Sequence, residues 1–68
     1  MLELAWKKHT PTTDVCHMGI YSFKRKRITG VEEFEIWKGE SLEFKTFRHG
    51  DFIRKVRTII DARMKGKL

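Results

Sequence analysis

Four side chains in this chain are of the type that binds a soft metal ion or, in the case of histidine, moves a proton near neutral pH: His9, Cys16, His17 and His49. A structural zinc site needs four such ligands held tetrahedrally, and neither Cys-x-x-Cys nor His-x₃-His spacing occurs. The adjacent Cys16-His17 pair therefore predicts no metal and no cofactor. His49-Gly50-Asp51 could be drawn as a general base beside an orienting carboxylate, but no nucleophile accompanies it and Asp51 reads as a helix N-cap. No enzyme is predicted, and no catalytic residue is assigned.

The remaining chemistry is that of charge. Fifteen Lys and Arg against nine Asp and Glu give a net charge of +6 and a pI near 9.8. The tetrad Lys24-Arg25-Lys26-Arg27 has the look of a nucleic-acid patch, yet Glu32, Glu33 and Glu35 follow closely enough to answer it across a hairpin. The excess lies further on, where residues 48–68 carry seven basic side chains against two acidic ones. Arg48, Arg54, Lys55, Arg57 and Lys65 are the candidates for phosphate contact, which needs only cations spread along an exposed stripe. Arg57 and Asp61, at i,i+4 spacing, should neutralise part of that stripe. Lys24, Lys26 and Lys45, interleaved with the aromatic rings of Trp37 and Phe47, are the candidates on a sheet face, where aromatic side chains can stack on bases.

Five elements must position these residues. Leu2, Leu4 and Trp6 alternate with polar or small neighbours, and Tyr21/Phe23, Phe34/Ile36 and Leu42/Phe44 continue the period of two. Strands are predicted over about 2–8, 15–27, 32–38 and 42–48, with Thr10 to Asp14 as a loop and a bulge at Gly19. After Asp51, Phe52, Ile53, Val56, Ile59, Ile60 and Met64 recur at helical spacing, which predicts a helix over about 51–65. A hairpin tip at Thr29-Gly30 opposes Arg27 to Glu32, Lys26 to Glu33 and Lys24 to Glu35. A three-residue turn Gly39-Glu40-Ser41 then opposes Glu35 to Lys45, Ile36 to Phe44 and Glu32 to Arg48.

These registers predict one domain over residues 1–68 of the α+β class. It is a small antiparallel meander of three to four strands, covered on one face by a C-terminal α-helix. Tyr21, Phe23, Phe34, Ile36, Leu42 and Phe44 should face the helix, leaving Ser22, Lys24, Lys26, Glu33, Glu35, Trp37, Glu43, Lys45 and Phe47 on a solvated face. Trp6 is expected in the core. A chain of 68 residues buries only ~60% of its unfolded surface, so it has room for one thin core and none for a deep pocket. A single cysteine suits a reducing cytoplasm. The absence of any apolar run near ~18 residues predicts no membrane partner, and the acidic start predicts no secretion by a signal peptide.

In size and layout the chain is similar to the arm-binding domains of phage-type integrases and to the small archaeal chromatin proteins. That likeness rests on architecture, so no functional residue is carried over from it. Two functions compete on these residues. The first is a small basic nucleic-acid-binding accessory protein of a phage or plasmid, acting on DNA in preference to RNA through Lys24, Lys26, Lys45, Arg48, Arg54, Lys55, Arg57 and Lys65. The alternative is a mobile-element protein that binds and inhibits a host protein, with Trp37 and Phe47 as anchors and Glu33 and Glu35 for selectivity. A homodimer through the same face or an open sheet edge is a third arrangement.

Overall fold

The computed structural model describes residues 4–64; the expectations for Leu2 and Lys65 lie outside them. Five strands form one antiparallel sheet in sequence order: β1 (Lys7–Thr10), β2 (Thr13–Met18), β3 (Tyr21–Ile28), β4 (Val31–Lys38) and β5 (Ser41–Thr46), followed by helix α1 (His49–Met64). The fold is α+β, with five strands where the sequence pattern indicated three to four.

The additional strand comes from two tight turns. Gly19 has φ +61°, and with Ile20 it forms a two-residue turn that pairs Met18 with Tyr21 and Cys16 with Phe23. The run read as one strand over 15–27 is therefore two. This turn also brings Cys16 onto the same face as Phe23. Pro11-Thr12 turns the chain between Thr10 and Thr13, so the expected loop is a hairpin and β1 begins at Lys7. Residues 4–6 pair with no strand; the Trp6 N–H donates to the Leu4 carbonyl at 3.0 Å, a tight turn that brings both side chains over the core.

The central registers match the pairing of opposite charges. Lys24 opposes Glu35, Lys26 opposes Glu33 and Arg27 opposes Glu32, and on the other side of β4 Glu35 opposes Lys45 and Ile36 opposes Phe44. The β4–β5 turn is two residues rather than three. Its register shifts between Ile36 and Trp37, so that Trp37 opposes Leu42 and Glu43 is the extra residue of a bulge. Leu42 is consequently turned onto the face away from the helix, where 46% of it is exposed, and does not join the core. β5 ends at Thr46, and the expected Glu32–Arg48 pair does not form.

Helix α1 starts two residues before Asp51. The Arg48 carbonyl accepts the Phe52 N–H at 3.1 Å, which makes Arg48 the cap residue. The Thr46 hydroxyl accepts the Arg48 N–H at 3.1 Å, holding the strand-to-helix corner. Asp51 is thus the third helical residue and not the N-cap, and it still places a negative charge at the positive end of the dipole. The core is Cys16, Phe23, Phe34, Ile36, Phe52 and Val56, with Leu4, Trp6, Met18, Tyr21, Phe44, Ile53, Ile59 and Ile60 packed around it. Met64 falls on the edge of the apolar stripe and stands exposed. The helix backbone lies over β4 and β5, and the Trp6 ring stacks on Phe52 at 6.1 Å, so the N-terminal segment adds a second cover beside the helix.

The β3–β4 turn stores strain. Thr29 has φ +48° and Gly30 +79°, a pair of left-handed residues for which Asn-Gly is the preferred sequence and a β-branched side chain is unfavourable. Thr29→Asn should stabilise the domain by about 0.5–1 kcal/mol. Since each kcal/mol moves the midpoint of a domain this size by roughly 4–8 °C, a thermal melt resolves the effect. An unchanged or lowered midpoint would count against the strain.

Candidate nucleic-acid interface

Two surfaces hold the candidate residues, and the structure treats their charges differently. On the sheet face turned from α1, cross-strand rows are built from Thr13, Lys26 and Glu33, from Val15, Lys24, Glu35 and Lys45, and from His17, Ser22, Trp37 and Leu42. This face was expected to be solvated, but Glu33 and Glu35 are only 7% and 5% exposed. Flanking lysine stems cover them, since long cationic side chains lay their methylenes along a surface and keep the ammonium in water. Lys26 Nζ donates to Glu35 Oε2 at 3.2 Å, the Trp37 indole N–H donates to Glu35 Oε1 at 2.9 Å, and Lys45 lies 3.5 Å from Glu33. Lys24 sits over the Trp37 ring at 5.0 Å. Burial pushes the Glu35 carboxyl up, and the Trp37 N–H and the Lys26 ammonium together more than reverse it, leaving the group below the ordinary carboxylate range. The sheet lysines are thus largely committed to neighbours within the chain.

The helix cations are not. At 100° per residue, Arg54 falls opposite the buried Phe52–Val56 stripe and Arg57 on its flank. Arg48, Arg54, Lys55 and Arg57 are all exposed. Arg54 reaches Asp51 at 3.7 Å with 82% of its side chain in solvent, a surface pair of the kind worth ~0–1 kcal/mol. No Arg57–Asp61 ion pair forms among the described residues, contrary to expectation. With the cation N-terminal to the acid, that spacing is the weaker orientation on a helix. Lys55 leans over the Phe44 ring at 5.7 Å. Between α1 and β5 a cleft of about 400 Å³ is lined by Phe44, Asp51, Arg54, Lys55 and Thr58.

Phe47, just past β5, is 60% exposed, and Trp37 is half-buried. The histidines and Cys16 are not gathered. Cys16 is in the core, His17 Nδ1 lies 3.0 Å from Ser22 Oγ, and His49 packs edge-on against Phe34 at 5.4 Å. Among the described residues no three His, Cys, Asp or Glu are placed to share a metal ion, and no helix is long and apolar enough to cross a membrane.

One cluster escaped the sequence reading. Asp14 Oδ2 accepts from Arg25 Nε and Nη2 at 3.1 and 2.8 Å and from Arg27 Nη1 at 2.9 Å, while the Arg25 guanidinium lies over the Trp6 ring at 4.8 Å. Half of the basic tetrad is therefore structural, locking β2 to β3. Only the β2–β3 register, which depends on recognising the Gly19 turn, could have revealed it. The Arg27 and Arg25 hydrogen bonds hold the Asp14 carboxyl below its ordinary value against the opposing effect of burial. For Asp14 and Glu35 alike, a depressed native pKa means that the stabilisation is present above the unfolded values of ~3.9 and ~4.3 and is lost as the pH falls through the native ones. The thermal midpoint should drop from pH 5 toward pH 2, and Asp14→Asn should flatten that drop. The same slope in the variant would discount the triad.

Comparison with family models, with curated proteins and with solved structures finds no match for this chain.

Proposed function

We propose that the protein binds nucleic acid, DNA in preference to RNA, through phosphate contacts made by the outward face of α1. The observation that carries this reading is the exposure of Arg48 at the helix cap and of Arg54, Lys55 and Arg57 along α1, with one long ion pair among the described residues, Arg54–Asp51. By contrast, Lys26 and Lys45 on the sheet are bound to buried carboxylates. Lys24, Lys26 and Lys45 therefore hold the sheet together and add to the field at short range, while the helix supplies the contacts. Binding of this kind is independent of sequence and releases counterions, so affinity falls steeply with salt. Fluorescence anisotropy with labelled DNA over a salt series tests it. A Kd of about 10⁻⁴–10⁻⁶ M near physiological salt and a negative log–log slope are expected. Binding weaker than ~1 mM at low salt, or a flat salt profile, removes the reading.

A protein partner is the second reading, favoured by two apolar side chains left open, Leu42 on the sheet face at 46% and Phe47 just past β5 at 60%. Exposed aromatic and aliphatic side chains are what a partner's pocket takes up. Capture of one specific protein that is lost in Leu42→Ala/Phe47→Ala but kept in Arg54→Gln/Arg57→Gln would transfer the function to this face. Self-association through it is read by sedimentation.

A further inference from the structure

Where the last turn of α1 approaches the β2–β3 turn, a concavity of about 280 Å³ is lined by Gly19, Ile20, Tyr21, Lys38 and Arg63. The sequence makes it possible at one atom. A Cβ on Gly19 would lie 2.5 Å from Arg63 Nη1, so a side chain there would push the guanidinium off the turn, and φ +61° favours glycine there independently. Tyr21 and Lys38 oppose each other on β3 and β4. They share the pleat of Phe23 and Ile36, on the helix side, and Lys38 Nζ stands 6.0 Å from the Tyr21 ring centroid. Ile20, 60% exposed, forms an aliphatic wall. The lining thus joins an aromatic ring and an aliphatic side chain to two cations and contains no carboxylate. Among the described residues neither Lys38 nor Arg63 takes part in an ion pair.

This combination fits a ligand with a flat, weakly polar body and an attached anion. We infer that the pocket holds one unstacked nucleotide of a single-stranded nucleic acid, its base against Tyr21 and Ile20 and its phosphate between Lys38 and Arg63. The volume lies just below the ~300–1,000 Å³ of ordinary small-molecule sites, which is room for one base and not for two. A base within a duplex is stacked on both sides and cannot enter without being extruded. The pocket therefore selects single strands, with base-on-aromatic stacking supplying affinity tolerant of sequence. The inference rests on the phosphate-binding reading of α1 and deepens it, since the same helix presents Arg54, Lys55 and Arg57 outward and Arg63 at the pocket.

The test compares a fluorescein-labelled oligothymidylate with a duplex of the same length at low salt, using the wild type, Lys38→Ala/Arg63→Ala and Tyr21→Leu. Tyrosine and the bound base are also followed by NMR shift perturbation with thymidine monophosphate. The single strand should bind about tenfold tighter than the duplex, and each variant should remove that preference, Tyr21→Leu with duplex binding unchanged and the double variant with the single strand weakened about tenfold more than the duplex. Lys38 and Arg63 are exposed, so the double variant folds and decides the matter even if Tyr21→Leu does not. Equal affinity for both forms, or a preference that survives the double variant, overturns the inference and leaves the helix reading standing. Monophosphate shifts confined to the pocket, without salt-dependent binding of either polymer, would retain the pocket and overturn the helix reading.

Discussion

Phe52→Ala leaves the domain largely unfolded at room temperature. Phe52 is fully buried, and its ring meets Trp6 at 6.1 Å, Phe23 at 6.1 Å and Phe34 at 4.8 Å. It touches the N-terminal cover, β3 and β4 together. Truncating a buried Phe costs about 3–5 kcal/mol, because the loss of transfer free energy is joined by a cavity that its neighbours fill only in part. A domain of this length has only about 3–10 kcal/mol of stability in total, and a sheet this small has no second core to fall back on. Chemical denaturation followed by far-UV circular dichroism should show little or no native baseline for Phe52→Ala. Phe52→Leu should fold with a lowered midpoint, and Phe47→Ala, outside the core, should stay within about 0.5 kcal/mol of wild type. A wild-type midpoint in Phe52→Ala would mean that the ring cluster does not hold the helix to the sheet.

Those rings also show how far the sequence could be read. Tyr21, Phe23, Phe34, Ile36 and Phe44 alternate along strands whose charged neighbours pair with opposite sign in one register only, so period and Coulomb's law agreed on β3, β4 and β5. The helix was legible for the same reason, in that Phe52, Val56, Ile59 and Ile60 return every three or four residues. The failures have physical causes. Lys7 to Thr10 form a strand with all four side chains exposed, and a strand that buries nothing leaves no alternation to detect. Gly19-Ile20 is a turn whose second residue is a strong strand former, which disguised it as a bulge. The Glu43 bulge reset the parity of Leu42 because a tight two-residue turn outweighed the burial of one leucine. Of the candidate interface, the helix cations were legible as excess charge. That the sheet lysines are engaged by buried Glu33 and Glu35, and that Arg25 and Arg27 converge on Asp14, depends on diagonal and cross-strand distances which no single segment encodes.

That division of the cations leads to the larger functional effect. Reversing Arg54 and Arg57 together, as Arg54→Glu/Arg57→Glu, should weaken duplex DNA binding by about two orders of magnitude at 50 mM salt. Each phosphate contact adds about 0.9 to the slope of log K against log salt, which amounts to roughly fifteenfold per contact at that concentration, and losing two lowers the slope by about 1.8. Both side chains are exposed, and the only bond forfeited among the described residues is the 3.7 Å contact to Asp51, so the fold should survive with a near-native melt. Lys26→Gln and Lys45→Gln behave in the opposite way. Each removes a partner from a buried carboxylate, which costs stability on the order of 1–3 kcal/mol, while the salt slope changes by less than about one contact. The two sets of variants therefore separate on two axes, affinity and stability. If the sheet substitutions abolish the salt slope and the helix reversal leaves it intact, the phosphate-binding surface is the sheet, and the ion pairs around Glu33 and Glu35 must exchange their lysines for the backbone of the nucleic acid.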